Sequence, residues 1–416
     1  MNILKFFTAG SVDDGKSTLI GRLLYDTDSI LADQLEALQQ SNRKNDDGTI
    51  DLAILTDGLR AEREQGITID VAYKYFQTAN RKFIIADTPG HIQYTRNMVT
   101  GASTAKLAII LIDARNGVVE QTVRHSYLVS LLGIEHVVVC LNKMDMVDYS
   151  ETVFDAITDK YKALAAELKL KDVTFIPVSA LKGDNVVNES EHMTWYQGRS
   201  LLHFLESVDV ESGPEYNLAR MPIQWVVRPQ TDELHDYRGY AGRVLSGSFQ
   251  LNDRVTVLPS GTSSVIERIE IFDQRPEEVH AGQSVTLHLR DNIDISRGDV
   301  LVNSDHLPQS SQLIEADVCW MDSRPLDENI TYLLQHNSKV TKCKIREILY
   351  KVDINTLEKQ DAYDFRLNDI GRVVLKTADA LAFDFYTENK ANGAAILIDS
   401  RTNLTAAALM FRAVAD

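Results

Sequence analysis

The sequence predicts an α/β domain with a mostly parallel sheet and helices on both faces, followed by two β-barrel domains. From residue 1 to about 210, short apolar β-type runs alternate with helical stretches, which is the pattern of a parallel sheet covered by helices. After Glu211–Pro214 the chain changes to short β-rich runs separated by Gly, Asn, Asp and Pro, which indicates a β-barrel. A second such series follows the turn-rich segment Asn303–Ser311. We therefore expect domains at residues 1–211, 215–307 and 312–416.

The elements of the first domain follow from apolar runs and helical periodicity. Its predicted helices include Glu120–Leu132 and Glu151–Leu168. The polar segment between Asp26 and Thr68 is too long for a simple loop, and segments of this length are typically functional. The predicted strands are Ile3–Thr8, Val71–Gln77, Arg81–Asp87, Leu107–Ala114, His136–Asn142 and Phe175–Ser179. In the barrels they are Ile223–Arg228, Gly239–Phe249, Arg254–Leu258, Val265–Phe272, Ser284–Leu289, Ile314–Trp320, Thr331–Leu334, Val340–Leu349, Gly371–Lys376 and Ala394–Ile398.

The amino-acid composition indicates which binding partners and which cellular compartment to expect for this protein. The 416 residues are 44% hydrophobic, enough for several cores, and the formal net charge of -17 argues against a broad nucleic-acid-binding face or an anionic membrane surface. Cys140, Cys319 and Cys343 are widely spaced in apolar contexts, which favours buried free thiols over a zinc site or a disulfide framework. Neither a signal peptide nor a run of 18 apolar residues is present, so we expect a cytoplasmic protein without nucleic-acid or membrane partners.

The first motif is a complete phosphate loop between a strand and a helix. Its residues are Gly10, Ser11, Val12, Asp13, Asp14, Gly15, Lys16 and Ser17, with Thr18 next in the helix. Its glycines let backbone N–H groups surround an anion at the positive end of the helix dipole. Lys16 would reach the β- and γ-phosphates, and Ser17 would ligate Mg²⁺. Asp13 and Asp14 are acidic within an anion-binding loop, so we expect them to point outward. The alternative is a plain Gly-rich turn.

A second motif, Asp87-Thr88-Pro89-Gly90, ends a predicted strand and is followed by His91. Asp87 can hold Mg²⁺ through water, and the Gly90 N–H can meet a γ-phosphate. Alone the pattern occurs by chance, so its value lies in its position after the phosphate loop. His91 has two interpretations: a structural histidine beside an apolar strand, or a catalytic residue that orients the attacking water, since phosphoryl transfer depends mainly on positioning and electrostatics. The motif context favours the second.

A third motif, Asn142-Lys143-Met144-Asp145, follows an apolar strand at the sheet edge where ligands bind in open α/β folds. The Asp145 carboxylate can accept hydrogen bonds from N1–H and the 2-amino group of guanine, which adenine cannot supply. After the next strand, Ser179-Ala180-Leu181 offers backbone N–H groups to the guanine O6, and the Lys143 stem can lie across the ring. Outside this context the tetrapeptide would be a polar strand end. The predicted nucleotide is GTP or GDP with Mg²⁺.

The segment Glu62–Ile69 ends the long irregular region. Its position predicts that Thr68 binds Mg²⁺ when a γ-phosphate is present and releases it after hydrolysis. Such a change would be an order–disorder switch. The alternative is that Thr68 is only the first residue of a strand. The predicted metal ligands are therefore Ser17, Thr68 and Asp87.

Together these motifs resemble the translation-factor class of GTPases, which includes elongation factor Tu, over the whole chain. The resemblance implies an elongation factor Tu-like fold and places Val12 and Ile67 as an apolar gate beside the catalytic position, His91. More closely, segments Ala61–Tyr73, Pro89–Met98, Met221–Pro229 and Tyr237–Gly242 resemble the GTPase-subunit family of bacterial sulfate adenylyltransferases. Ile92 departs from the acidic residue expected there.

This closer resemblance implies a division of labour between subunits. A separate, smaller catalytic subunit would transfer the adenylyl group of ATP to sulfate and release pyrophosphate, while this chain hydrolyses GTP to drive that reaction within a heterodimer or higher assembly. Some relatives continue into an adenylylsulfate kinase, and we expect no kinase activity from the residues of this chain. One alternative is a translation elongation factor that delivers aminoacyl-tRNA to the ribosome. Another is a free-standing regulatory GTPase, but that function would leave the two β domains without a role.

Overall fold

The computed structural model describes residues 3–30, 52–55, 70–90, 95–210, 218–229 and 237–415. The chain divides into two compact units, residues 1–213 with 354–357, and residues 214–353 with 358–416. The three domain ranges drawn from the sequence remain predictions.

A six-stranded sheet organises the first unit. Its strands are β1 (Ile3–Ala9), β2 (Ala72–Gln77), β3 (Lys82–Asp87), β4 (Leu107–Asp113), β5 (His136–Asn142) and β6 (Asp172–Pro177). They lie in the order β2-β3-β1-β4-β5-β6, and only the β2–β3 pair is antiparallel. All residues of β4 are buried, which explains the apolar sequence from Leu107 to Ile112. Each predicted strand is present, although β6 begins and ends earlier than Phe175–Ser179.

Helices connect these strands. They are α1 (Lys16–Asp26), α2 (Thr95–Ala102), α3 (Glu120–Leu131), α4 (Glu151–Glu167) and α5 (Leu201–Ser207), with 3₁₀ helices at Leu52–Leu55 and Met144–Val147. The Ser150 side chain caps α4 by accepting a hydrogen bond from the Val153 N–H. Apolar residues of α1 and α5 pack with those of β1, β3, β4 and β5 into one core. Among the described residues, no helix is long and apolar enough to cross a membrane.

The second unit begins with a closed six-stranded barrel. Its strands in chain order are β7 (Arg220–Val227), β8 (Gly239–Arg243), β10 (Arg254–Leu258), β11 (Thr262–Glu270), β13 (Ser284–Leu289) and β14 (Val300–Asn303); β9 (Ser248–Gln250) and β12 (Glu278–His280) form a separate pair. Pairing of β14 with β10 closes the barrel. The single strand predicted at Gly239–Phe249 is wrong, because a turn containing Gly247, with φ of 63°, divides it.

A second six-stranded ring follows. It is formed by β15 (Gln309–Trp320), β16 (Tyr332–His336), β17 (Lys339–Val352), β19 (Ile370–Phe383), β20 (Ala394–Ile398) and β21 (Thr405–Val414), with β18 (Lys359–Gln360) added beside β17 and helix α6 at Lys390–Gly393. Pairing of β16 with β17 closes it. β21 was not predicted, because its run of Ala, Leu and Met favours helix, but pairing with β15 and β20 fixes it as a strand. The predicted fold class, an α/β domain followed by two β-barrels, is confirmed.

A buried ion pair joins the two barrels. The Arg220 guanidinium on β7 donates from Nε and Nη2 to the Asp384 carboxylate just after β19, at 2.9 and 2.8 Å. Asn389 and Asn392 also donate to Asp384 Oδ2, at 2.9 and 3.0 Å. The three cysteines are buried and free, as expected from their spacing.

Candidate nucleotide-binding site

Four predicted segments meet at the carboxyl edge of the parallel sheet. The phosphate loop follows β1, Thr88–Gly90 follows β3, Lys143–Asp145 follows β5, and Ser179–Leu181 comes shortly after β6. Since neighbouring parallel strands all end at this edge, segments far apart in sequence become one site. Thr68, His91 and Ile67, to which the sequence assigned roles, lie outside the described residues.

The phosphate loop has the backbone that an anion site requires. Asp13 and Gly15 both adopt left-handed conformations, with φ of 65° and 92°. The Lys16 ammonium, at the start of α1, donates to Gly10 O and Ser11 O, each at 2.8 Å. Burial lowers the pKa of Lys16, while Asp14 and Asp87 oppose the shift. An ammonium group has three protons, so one beyond these two carbonyl bonds suits a phosphate oxygen.

Asp14 lies inside this loop, which corrects the expectation that it points outward. Its side chain is only 4% exposed, and its carboxylate accepts a hydrogen bond from the Ser11 N–H. The partly buried Ser11 donor needs an acceptor, and Asp14 provides one across the turn. Burial raises the pKa of Asp14, with Lys16 acting in the opposite direction. Asp13 is exposed, as predicted.

The end of β3 packs directly on the phosphate loop. Asp87 is 1% exposed and accepts from Thr8 Oγ1 at 3.4 Å, while Thr88 Oγ1 donates to Thr8 O at 2.6 Å. A methyl group on Gly90 would lie 2.5 Å from Lys16 Nζ and 2.8 Å from Gly10 O. Only glycine therefore fits so close to the loop.

Asn142 joins the two ends of the site. Its Nδ2 donates to Asp14 O at 2.7 Å, and its Oδ1 accepts from the Ala180 N–H at 2.9 Å. A side chain at Gly15 would collide with the Asn142 amide. Asn142 thus holds the phosphate loop and the segment Ser179–Leu181 in fixed register.

Lys143 spans the site and reveals a residue that the sequence analysis missed. Its backbone is left-handed, with φ of 64°, and its ammonium donates to Asp13 O at 2.5 Å and lies 3.0 Å from Asp113 Oδ2. Burial by itself would raise the pKa of Asp113, but hydrogen bonds from Arg115 and Lys143 outweigh it and lower the pKa to about 2. Asp113 ends β4 at the same sheet edge, and that position could have identified it.

The base end of the site is a hydrogen-bonded loop. Ser179 Oγ donates to Asp145 Oδ1 at 2.6 Å, and Met144 is fully buried with its N–H bonded to Val178 O. From α1, Arg22 donates to Ala180 O at 3.2 Å and to Leu181 O at 2.6 Å. The sequence gave no signal for Arg22, because this contact joins residues 158 and 159 positions apart.

The chemistry of Ser17 and Asp87 suits Mg²⁺ held partly by a nucleotide. Both offer hard oxygen donors beside the loop, and Mg²⁺ is commonly bound by one or two such groups together with substrate phosphates and water. Within the described ranges, no group of three or more His, Cys, Asp and Glu side chains could hold a metal ion. Ser17 and Asp87 therefore suit a metal that arrives with the phosphates of the nucleotide.

Two family models match this chain. The profile of the elongation factor Tu GTP binding domain matches residues 1–227, and that of the GTP-eEF1A C-terminal domain-like family matches residues 313–411. Sulfate adenylyltransferase subunit 1 from Bacteroides fragilis (strain YCH46) is 53% identical over 408 residues, which cover 98% of this chain and 85% of that protein. This chain belongs to the sulfate adenylyltransferase subunit 1 family. It is a GTPase that forms part of a sulfate adenylyltransferase complex, and it binds guanine nucleotide.

Further relatives and one solved structure also match this chain. Subunit 1 from Cellvibrio japonicus (strain Ueda107) is 52% identical over 413 residues, covering 98% of this chain and 86% of that protein. The bifunctional enzyme CysN/CysC of Mycobacterium tuberculosis (strain ATCC 25618 / H37Rv) is 50% identical over 410 residues, covering 98% of this chain and 67% of that protein. A solved structure of sup35 complexed with GDP matches with 23% identity and a TM-score of 0.45, covering 100% of this chain and 95% of that chain.

Proposed function

We propose that this chain binds GTP with Mg²⁺ at the edge of its parallel sheet and uses GTP hydrolysis to drive adenylyl sulfate formation in a separate catalytic subunit. The observation that carries the proposal is the convergence of the phosphate loop, Gly90, Asn142–Asp145 and Ser179 on one site, held together by the bonds of Asn142. The relatives' name, subunit 1, supports a second subunit as partner.

At the phosphate end, the loop N–H groups and Lys16 would hold the β- and γ-phosphates. Ser17 and Asp87 would hold Mg²⁺, which neutralises phosphate charge when bound. The Gly90 N–H would meet the γ-phosphate. A water oxygen bonds to the γ-phosphorus while the bond from that phosphorus to the β–γ bridging oxygen breaks, which gives GDP and phosphate.

The remaining roles at this end rest on sequence position. Thr68 is proposed as the third metal ligand, and His91 as the residue that orients the attacking water. Both follow from the motifs that flank them.

At the base end, Asp145 would select guanine. One carboxylate oxygen accepts from Ser179, and the carboxylate retains capacity for N1–H and the 2-amino group of the base. The Ala180 N–H already bonds to Asn142 Oδ1, and the Ser179 N–H bonds to Asp184 O. Of the three N–H groups predicted to face the guanine O6, that of Leu181 is therefore the proposed donor.

The partner reaction needs an energy source. The adenylyl group of ATP passes to a sulfate oxygen and pyrophosphate leaves, and the resulting sulfate–phosphate anhydride forms strongly uphill. The two β-barrels, together with the proposed response of Thr68 to the γ-phosphate, would give GTP hydrolysis the means to bias the partner's conformation.

The test couples the two reactions in the intact complex. The chain is co-purified with its untagged partner, and GTP turnover is measured with ATP plus sulfate, with each alone, and with ribosomes. Turnover that rises only with partner, ATP and sulfate, and adenylyl sulfate yield that depends on GTP, support the proposal. Stimulation by ribosomes alone would instead identify a carrier of aminoacyl-tRNA.

A further inference from the structure

Helix α3 carries two buried polar side chains that face Gly90 at the end of the phosphate site. Gln121 and His125 are 8% and 2% exposed and lie one helical turn apart, so they share a face of the helix. Gln121 Nε2 lies 3.1 Å from Gly90 O and 2.9 Å from His125 Nε2. One amide nitrogen therefore contacts both the glycine carbonyl and the imidazole.

The hydrogen-bond inventory fixes the direction of both contacts. An amide NH₂ group only donates, so one proton goes to Gly90 O and the other to His125 Nε2, which must accept. The imidazole is then neutral, with its proton on Nδ1. Burial lowers the pKa of His125 to about 3, and the nearby positive charges of Lys16 and Arg124 act in the same direction. His125 can therefore serve only as the acceptor that orients the Gln121 amide at neutral pH.

Keeping this polar pair in the interior has a cost. Gln121 Oε1 and His125 Nδ1 are buried and have no hydrogen-bond partner among the described residues. Each buried, unsatisfied group typically costs about 1–3 kcal/mol, and an apolar pair of similar shape would avoid this loss. The pair therefore calls for a role beyond packing.

Gly90 lies between this pair and the phosphate loop. On one side its carbonyl is held by Gln121, and on the other a methyl group at its Cα would lie 2.5 Å from Lys16 Nζ. Lys16 is itself held by Gly10 O and Ser11 O at 2.8 Å. The Gly90 carbonyl belongs to the peptide bond that leads out of the motif, so its tether sets the orientation of the chain at this point.

We propose that Gln121 and His125 are positioning residues for GTP hydrolysis: Gln121 holds the Gly90 carbonyl, and His125 orients the Gln121 amide. They act through Gly90 and touch no substrate. The inference rests on the proposed contact of Gly90 with the γ-phosphate, so the pair should affect GTP hydrolysis and leave GDP binding, which involves no γ-phosphate, unchanged.

The test compares three variants of the full chain with its partner. Gln121→Met keeps the length of the side chain and removes both donors, and His125→Leu removes the acceptor. His125→Gln restores an acceptor oxygen. We expect Gln121→Met to lower kcat for GTP by about 10- to 100-fold, because a misplaced reacting group slows the chemical step by this order. His125→Leu should lower kcat less. GDP affinity should stay within about twofold, and His125→Gln should regain most of the lost rate.

Ser126→Ala is the matched control on the same helix. Ser126 is fully buried and bonds to Thr122 O and Tyr161 Oη at 2.8 Å each, away from Gly90. It should lower the melting temperature without lowering kcat. If Gln121→Met leaves kcat unchanged in an active complex, or weakens GDP and GTP-analogue binding equally, the inference is wrong and the proposed function stands. The proposed coupling would be contradicted if GTP turnover of the wild-type complex is independent of ATP and sulfate. The kcat values of the variants would still test the positioning role in that case.

Discussion

The Ser179 hydroxyl donates a 2.6 Å hydrogen bond to the Asp145 carboxylate, across 34 residues of chain. This bond orients the carboxylate that we assign to guanine selection. In Asp145→Asn, an amide donor replaces one acceptor oxygen, which suits the 2-oxo group of xanthine and leaves the guanine amino group unmatched. We expect the ratio of GTP to xanthosine triphosphate turnover to fall at least about 100-fold.

Competition between the two nucleotides at equal concentration measures this ratio. Asp148→Asn is the matched control, because Asp148 is exposed near the end of the same short helix and its left-handed backbone, with φ of 53°, tolerates asparagine. An unchanged preference for GTP in Asp145→Asn would mean that the base site was assigned wrongly.

The buried carboxylate of Asp14 is expected to weaken phosphate binding. Asp14→Asn keeps an oxygen that can accept from the Ser11 N–H and removes a negative charge from the loop. We expect GDP affinity to rise by about three- to tenfold, because like charges a few Å apart repel strongly where water is excluded. Calorimetric titration with GDP measures it. Asp13→Asn, at an exposed position, should change affinity less, and weaker binding by Asp14→Asn would contradict this prediction.

Arg22 is expected to support nucleotide binding without affecting the chemical step. Arg22→Met keeps much of the side-chain volume and removes the donors to Ala180 O and Leu181 O. GDP and GTP affinities should fall together by about tenfold, the value of one charged hydrogen bond, with kcat within about twofold. Asp26→Asn removes only the ion pair between Arg22 and Asp26, at 3.3 Å, and should have little effect. A selective loss of kcat in Arg22→Met would argue against a purely supporting role.

The Arg220–Asp384 pair is expected to dominate the stability of the second unit. Removing one partner in Asp384→Leu leaves a buried guanidinium unpaired and should cost about 3–5 kcal/mol. The double variant Arg220→Met with Asp384→Leu should recover part of that loss. Unfolding of the full chain in urea, followed by tryptophan fluorescence, measures both. Arg366→Met, which breaks an exposed pair with Asp364, should cost less than about 1 kcal/mol. Equal losses at the two sites would refute the buried-pair argument.

His336 is expected to make the second unit sensitive to mild acid. Burial lowers its pKa to about 4, and its Nε2 lies 3.0 Å from Asn392 O. As pH falls below about 6.5, the unfolded chain takes up a proton that the folded chain excludes, so the free energy of unfolding should fall by about 1.4 kcal/mol per pH unit until pH reaches about 4. Above about pH 6.5 this group contributes no pH dependence.

Melting curves between pH 4 and pH 8 test this sign and window. His336→Asn should flatten the pH dependence, whereas His280→Asn, at an exposed position, should leave it in place. A pH profile that is the same in wild type and His336→Asn would assign the acid sensitivity to other groups.

Local patterns were sufficient for most of the fold. The alternation of apolar runs and helices predicted every strand of the first unit, because buried parallel strands such as β4 need continuous apolar sequence. Among the strands that were missed, β14 pairs with β10 and β21 pairs with β15, in each case with a strand distant in sequence. Such pairing depends on the completed ring and leaves little trace in the segment itself.

By itself, the sequence determined the phosphate loop, the Asp87–Gly90 motif and the tetrapeptide Asn142–Asp145, since each needs particular residue types at fixed spacing. Tertiary structure added Arg22, Asp113 and the contact of Gln121 with Gly90, because these contacts join separate elements at the sheet edge. It also placed the Asp14 carboxylate on the Ser11 N–H inside the loop. Hydrogen bonding across the folded sheet has no spacing in sequence, so only the packed structure brings these groups together.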